Sequence, residues 1–170
     1  MPDLLRKERF SADKLHIVQG FQCGMEAWQA AQSAWISTGK ALESISKYGT
    51  EVWLYFNQAD ELVGFGSLGK TRRPVPPPNG PYLHISIIPS LAIRRELWGK
   101  PTDPPKYSQQ ILDDLIYEAR AHGTELLILE VDPQNIRAIK LYQSRNFIAY
   151  GVSRNGNTVM MHRLQGAAAS

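Results

Sequence analysis

A chain of 170 residues is one domain by default, read here as 1–170, and is long enough to bury a real core. Its 43% hydrophobic and 21% charged residues are those of an ordinary globular protein, and its single cysteine, Cys23, excludes an internal disulfide framework and fits a reducing compartment. The excess of 19 Lys and Arg over 16 Asp and Glu is too small by itself to argue for nucleic acid. No apolar run reaches the ~20 residues that span a bilayer, and the start, MPDLLRKERFSADK, lacks the apolar centre of a signal peptide, so a cytoplasmic protein with no membrane contact is expected.

Residues 1–13 read as a polar arm, and Leu15 to Gln19 as a first strand. Met25 to Trp35 has helical composition, with Ala27, Trp28, Ala31 and Trp35 as an apolar stripe. Lys40 to Tyr48 is a second short helix. Glu51 to Asn57 is rich in aromatic and branched residues and predicts a strand. A turn at Gln58-Ala59-Asp60 returns the chain as Leu62 to Leu68, in which Gly64 and Gly66 mark a bulge or a close backbone approach. Gly69 to Pro81, GKTRRPVPPPNGP, is too rich in proline for a regular element. Its Lys70, Arg72 and Arg73 read as a solvated basic loop, or as a polyanion site that would be salt-sensitive. Tyr82 to Ile88 predicts a strand closed by Pro89, and residues 90–106 are irregular. Tyr107 to His122 predicts a helix with Ile111, Leu112, Leu115, Ile116 and Ala119 on one face, stopped by Gly123.

Leu126 to Gly151, LLILEVDPQNIRAIKLYQSRNFIAYG, organises the rest. Leu126 to Val131 predicts a strand covered on both faces. Asp132 is expected as N-cap and Pro133 as first helical residue, and Asn146 ends the helix in the left-handed conformation. Phe147 to Tyr150 is a further strand, an Asn155-Gly156 turn makes a hairpin, Thr158 to Leu164 is the last strand, and GAAAS is a tail. A strand, a crossover helix and further strands belong to an α/β sheet.

This stretch resembles the GNAT acyltransferase superfamily, whose members place an Asn at a helix start, an Ala three residues on, a Tyr near the helix end and a Gly-Phe after it. Those places hold Asn135, Ala138, Tyr142 and Asn146-Phe147, with only the Gly changed, and Ile87-Ile88-Pro89 matches the Val-x-Pro that closes the fourth strand. The resemblance implies an α/β, GNAT-like fold: a mixed, mostly antiparallel sheet of about six to seven strands, splayed between the fourth and fifth, flanked by about four helices. It implies an acetyl-coenzyme A-dependent N-acetyltransferase acting on a primary amine of a small molecule or peptide. A coenzyme A-binding or regulatory protein of this fold with little catalysis is the alternative. No metal is expected, and oligomeric state is open, a homodimer included.

The resemblance also assigns roles. The backbone of Ile87 and Ile88 would hold the pantetheine arm, and one of their N–H groups would polarise the thioester carbonyl. The pyrophosphate pattern Arg/Gln-x-x-Gly-x-Gly/Ala is missing; Lys106, Tyr107, Ser108 and Gln109 would substitute at the positive end of a helix, with Arg94, Arg95 and Lys100 in reserve. Tyr142 is the general acid and Asn135 contacts the cofactor arm or orders the turn. Two residues compete as base: His84, whose ordinary pKa of ~6.5 suits neutral pH, and Glu130, the lone charge in an apolar strand, where burial would make it basic. Ser86 shares the face of His84. Trp28 and Trp35 pack the core, or one of them lines an acceptor pocket. Lone polar residues on such strands are also common as satisfied core groups.

Overall fold

The computed structural model describes residues 4–71, 84–97 and 106–164. In chain order it has strand β1 (Arg6–Arg9), helices α1 (Leu15–Val18), α2 (Ala27–Ser37) and α3 (Lys40–Tyr48), strands β2 (Glu51–Phe56), β3 (Leu62–Thr71), β4 (Ile85–Ile88) and β5 (Leu91–Ile93), helix α4 (Tyr107–Ala121), strand β6 (Leu126–Val131), helix α5 (Ile136–Ser144), and strands β7 (Ile148–Val152) and β8 (Thr158–Arg163). The eight-stranded sheet runs β1-β2-β3-β4-β6-β8-β7, with β5 also paired to β3. Among the described registers β4–β6 is parallel and β1–β2, β3–β4, β3–β5, β6–β8 and β7–β8 are antiparallel. This is the expected mixed α/β sheet, with one strand and one helix more than anticipated.

The chain forms two compact units. The first is Met1–Ser67 with Ser90–Leu115, the second Leu68–Pro89 with Ile116–Ser170. In the first unit Val18, Phe21, Cys23, Ile36, Ala41, Val52, Leu54, Phe56, Phe65 and Ala92 form a core, with Trp35 packed against it. Trp35 stacks on Phe65 at 5.8 Å between centroids and Phe21 meets the same ring edge-on at 5.3 Å. Trp35 is thus a core residue. The predicted stripe of α2 is rotated: Ala27 and Ala31 are exposed, while Gln29 and Ile36 are buried. Gln29 is inside because its side chain is occupied, accepting from the Glu26 N–H in a capping box. Cys23 is buried, its thiol 3.1 Å from the Gln29 carbonyl and 3.3 Å from Ser33 Oγ. Burial pushes that thiol's pKa up.

Two expectations near the start are corrected. Leu15 to Gln19 is not a strand: Leu15–Val18 is helical and follows a 3-10 turn at Ala12–Lys14, so Leu15 and Val18 share one side at three-residue spacing. Within the expected polar arm, Arg6–Arg9 pairs with β2 from Arg6↔Phe56 to Arg9↔Trp53. Its charges are accommodated by partners. Arg6 meets Asp60 and Arg9 meets Glu51, their guanidinium carbons lie over Phe56 and Trp53 at 4.6 and 5.4 Å, and Lys7 Nζ sits 3.0 Å from Asp114, which also accepts from Tyr55 Oη at 2.6 Å. Cation–π contacts and charge-assisted hydrogen bonds let a basic tetrapeptide hold a strand edge.

β3 pairs along one edge with two strands in succession. Gly64, Phe65 and Gly66 face Ile93, Ala92 and Leu91 of β5, and Gly69, Lys70 and Thr71 face Ile87, Ser86 and Ile85 of β4. Two residues separate these blocks on β3, Ser67 and Leu68, against three on the other side, Ile88, Pro89 and Ser90. The odd residue makes a bulge. The glycine reading holds at Gly64, where an added Cβ would stand 2.2 Å from the Ala92 carbonyl oxygen. Lys70 lies in β3, so the expected loop starts later; Arg72 and Arg73 fall outside the described residues.

In the second unit β6 is not covered on both faces. Leu127, Leu129 and Val131 are buried, while Leu126, Ile128 and Glu130 are not: an alternating strand with one packed face. The turn after it differs from expectation as well. Asp132 Oδ1 accepts from Gln134 N–H at 2.9 Å, and the helix starts three residues later, with Asn135 as N-cap accepting from Ala138 N–H at 3.2 Å. Asp132-Pro133 therefore makes an Asx turn before the cap. At the other end Asn146 has φ 67° and Phe147 N–H reaches back to the Tyr142 carbonyl at 3.0 Å, the expected left-handed exit. β7 ends the sheet and is exposed throughout.

Two stability outcomes follow for urea unfolding. Gly64→Ala should cost about 1–3 kcal/mol, because the new methyl meets backbone that cannot step aside, whereas Gly20→Ala, with nothing within 4 Å, should stay within about 0.5 kcal/mol of the parent. Asn146→Ala should lose about 1 kcal/mol or more to its left-handed backbone, while Asn146→Gly should lose nothing.

Candidate functional site

The second unit holds six of the expected residues. The parallel ladder between β4 and β6 runs Ile85↔Leu126, Ser86↔Leu127, Ile87↔Ile128 and Ile88↔Leu129, then stops. Glu130 and Val131 continue β6 and, among the described residues, pair on the other side, with Val159 and Thr158 of β8. Beyond Ile88, Pro89 has no N–H, and the chain next pairs with β3 as β5. The two strands expected to part near Ile87 and Glu130 thus share no ladder rung past Ile88 and Leu129, which leaves two residues of β6 with an edge to which an extended chain can add. Ile87 is registered to both Gly69 and Ile128, so its backbone belongs to the sheet; Ile88 is the last residue before the ladder ends.

The two base candidates lie at opposite ends of this ladder. His84 precedes β4 and is exposed; its carbonyl accepts from Glu125 and Leu126 N–H. Strand rise puts it ~13 Å from Ile88. Glu130 lies just past the last rung, but it is exposed rather than buried, so the burial expected to make it basic is absent. Ser86 is buried with its hydroxyl 2.5 Å from Thr124 Oγ1. It closes a hydrogen bond to a residue 38 positions away.

Tyr142 is 6% exposed, and burial pushes its pKa up to about 12. Its ring tilts against Phe147 at 5.7 Å, and Phe147 stacks on His162 at 5.2 Å. His162 is opposite Leu127 in the β6–β8 register and Met160 is opposite Leu129, so Tyr142 packs on the buried face of β6. Glu130 points to the other face. His162, absent from the expected set, is buried with Nδ1 unpartnered. Asn135 spends its side-chain oxygen on the helix cap, which fits the turn-ordering half of its expected role.

In the first unit, α4 begins at Tyr107. Lys106 is exposed, and its N–H donates to Gln109 Oε1 at 3.0 Å, while its carbonyl accepts from Gln110 N–H. Tyr107 is buried and Ser108 and Gln109 are half-buried. No acidic residue stands in the first turn of α4 and Lys106 lies beside it, an arrangement that suits an anion. Arg94 faces Glu61 and Glu96 at 3.8 Å, and Lys100 lies outside the described residues.

Sequence reading missed Ser67 and Ser90. Ser67 Oγ donates to the Ser90 carbonyl at 2.6 Å and accepts from Ser90 N–H at 2.9 Å. Ser90 Oγ is buried without a partner. The two residues are 23 positions apart and no local pattern joins them; the one available cue is Pro89, which marks where the ladder loses a donor. Among the described residues no group of three or more His, Cys, Asp or Glu could hold a metal ion, and no helix is long and apolar enough to cross a membrane.

No curated protein matches the chain in sequence. Solved structures do match in fold. PaiA N-acetyltransferase from Thermoplasma acidophilum in complex with coenzyme A has a TM-score of 0.69 at 14% identity, with 94% of this chain and 99% of that chain covered. A Bacillus subtilis acetyltransferase in complex with coenzyme A has 0.64 at 18% identity, with 95% and 99% covered. A tyrosine-to-phenylalanine mutant of the toxin AtaT, bound to the C-terminus of the antitoxin AtaR and acetyl-coenzyme A, has 0.63 at 20% identity, with 95% and 94% covered. A family model matches residues 23–147. That span runs from Cys23 through the interrupted ladder and α5 to Phe147, and it places this chain in the acetyltransferase (GNAT) family.

Proposed function

We propose that the protein transfers an acetyl group from acetyl-coenzyme A to a primary amine of a small molecule or peptide, with Tyr142 as the hydrogen-bond donor to the departing thiolate. The observation that carries this reading is the parallel ladder that ends at Ile88 and Leu129. An extended pantetheine arm can add its amides to the edge of Glu130 and Val131, as a strand would. In the first unit, taken by itself, Lys106, Ser108 and the first-turn amides of α4 suit an anion such as a pyrophosphate, and Gln109 Oε1 accepts from the Lys106 N–H.

In the reaction the amine nitrogen forms a bond to the thioester carbon, the C–S bond breaks, and the nitrogen gives up a proton. Tyr142 stays protonated at neutral pH because its pKa is pushed up to about 12. A phenol of that strength is a weaker acid than an ordinary thiol near 8.5. It therefore stabilises the developing thiolate chiefly as a hydrogen-bond donor. Glu130, at the open end of the ladder and on the face away from Tyr142, is the better placed of the two bases, acting through water. His84, about four residues' rise away, is not used. In this scheme proton removal and stabilisation of the thiolate occur on opposite faces of β6.

Tyr142→Phe should lower kcat about 10²-fold or more with the Kd for acetyl-coenzyme A, measured by titration calorimetry, unchanged; undiminished kcat would remove Tyr142 from the mechanism. Glu130→Gln should shift the low-pH limb of the kcat/KM profile, and His84→Ala should leave it in place. The raised phenol also has a stability signature. Its pKa in the fold lies above the ordinary value of 10.0, so the stability it contributes is complete below pH ~10 and is lost as pH rises toward ~12. Tyr142→Phe should flatten the alkaline fall in urea midpoint across that window.

A further inference from the structure

The sheet of the second unit has two unlike faces. On one, Leu127, Leu129, Met160 and His162 are buried. On the other, the register lines up one residue from each of four strands: Ile87 of β4 beside Ile128 of β6, Ile128 beside Met161 of β8, and Met161 beside Ile148 of β7. Ile87, Ile128 and Met161 are only half-buried, and Ile148 is 66% exposed. At the spacing of paired strands this apolar row is about 14 Å long. Two charges bracket it. Glu130 stands two residues past Ile128 on β6, ~7 Å along the strand and on the same face. Arg163 stands two residues past Met161 on β8, toward the opposite end, since the register puts Arg163 beside Leu126 and Glu130 beside Val159. Both charged residues are exposed, and among the described residues neither has an ion-pair partner. Contiguous open apolar surface with a polar rim marks a place where something binds.

We infer that this row is the surface on which the acceptor lies, and that the acceptor is a monoamine with an apolar body, its ammonium meeting Glu130 and its hydrocarbon covering Ile128 and Met161. The inference rests on the acyl-transfer reading above, which leaves the class of amine open. Charge and position select this occupant. Glu130 gives the row a negative end, which matches an ammonium. That end is where the ladder between β4 and β6 stops, so the nitrogen arrives at the edge proposed for the pantetheine arm. Arg163 sets a positive charge at the other end, roughly 13 Å of strand rise away, and repels a second ammonium. The side chains of the row itself carry no hydrogen-bonding group, so a hydroxylated or ether-rich body would lose its water there without replacement. The bound ammonium sheds one proton to water before attack. The C–N bond then forms, the C–S bond breaks with its electrons leaving on sulfur, and the second proton passes to Glu130 through water.

The test compares three acceptors of equal chain length with acetyl-coenzyme A as donor: heptylamine, an ether amine and the terminal diamine. For the parent protein kcat/KM for heptylamine should exceed that for either analogue about 10-fold or more. Met161→Gln keeps the length of the side chain and makes it polar; it should raise KM for heptylamine about 10-fold and leave its kcat and the KM for acetyl-coenzyme A in place. Met161→Leu should restore the parental KM. Arg163→Glu should raise kcat/KM for the diamine and leave heptylamine unaffected. Equal kcat/KM for heptylamine and the ether amine, or a parental KM in Met161→Gln, would overturn the inference while leaving acyl transfer intact. So would a parent protein that acetylates other amines but not heptylamine, or a parent dimer in sedimentation that Ile148→Asp converts to monomers, which would give the row to a second copy. A parent protein that binds neither coenzyme A nor acetyl-coenzyme A, or binds them and acetylates no amine, would overturn the acyl-transfer reading itself.

Discussion

β3 must serve, along one edge, two strands that are one residue out of step, and the rest of the site depends on how that mismatch is held. The ladder to β5 fixes Gly66 opposite Leu91, and the ladder to β4 fixes Gly69 opposite Ile87. The surplus residue cannot be absorbed without leaving backbone groups unpaired in a buried place, which is costly. Proline at 89 removes one N–H from the account, and the Ser67 hydroxyl satisfies the carbonyl and N–H of Ser90. With the mismatch settled, β4 ends at Ile88, β6 runs on through Glu130 and Val131 paired with β8, and an edge opens inside a continuous sheet. An interior edge of this kind is unusual, because edges are normally short, charged or covered.

Close packing holds this geometry in place from the β3 side. Gly64 lets the backbone of β5 lie against β3, with the Ala92 carbonyl where a side chain would begin, and Gly66 admits Ile111 and Leu115 of α4 within 3.2 Å of the same imagined position. A strand with glycine at alternate positions is intrinsically weak. Here the lost propensity is offset by buried branched side chains packed directly over the backbone.

The parts of the fold that could be read from sequence were those set by local chemistry. Helix α3 and strand β6 have the expected limits, because Gly39 and Gly49, Thr124 and Asp132 punctuate them. Asn146 adopts the left-handed exit its side chain tolerates. The GNAT signature of Asn135, Ala138, Tyr142 and Phe147 is legible because each residue serves the helix that carries it or its exit: a cap, a small residue in the first turn, a buried ring and the ring tilted against it. What failed was set by distant partners. Arg6–Arg9 looks like a loose arm until Asp60, Glu51, Asp114 and two aromatic rings are known to meet it. Glu130 looks buried in a run of leucines because a strand's exposed face is invisible without its neighbours. The clasp between Ser67 and Ser90 depends on a register that no single stretch encodes.

Cys23 has a practical consequence. It is the chain's one cysteine, 1% exposed, hydrogen-bonded at sulfur, and held in its unreactive thiol form by burial. A chromogenic disulfide reagent added to the folded protein therefore meets a silent background, and any free sulfhydryl that accumulates in solution can be counted directly. Under denaturant the same residue becomes a chemical clock for opening of the core around Phe65, read by mass as each molecule is tagged once.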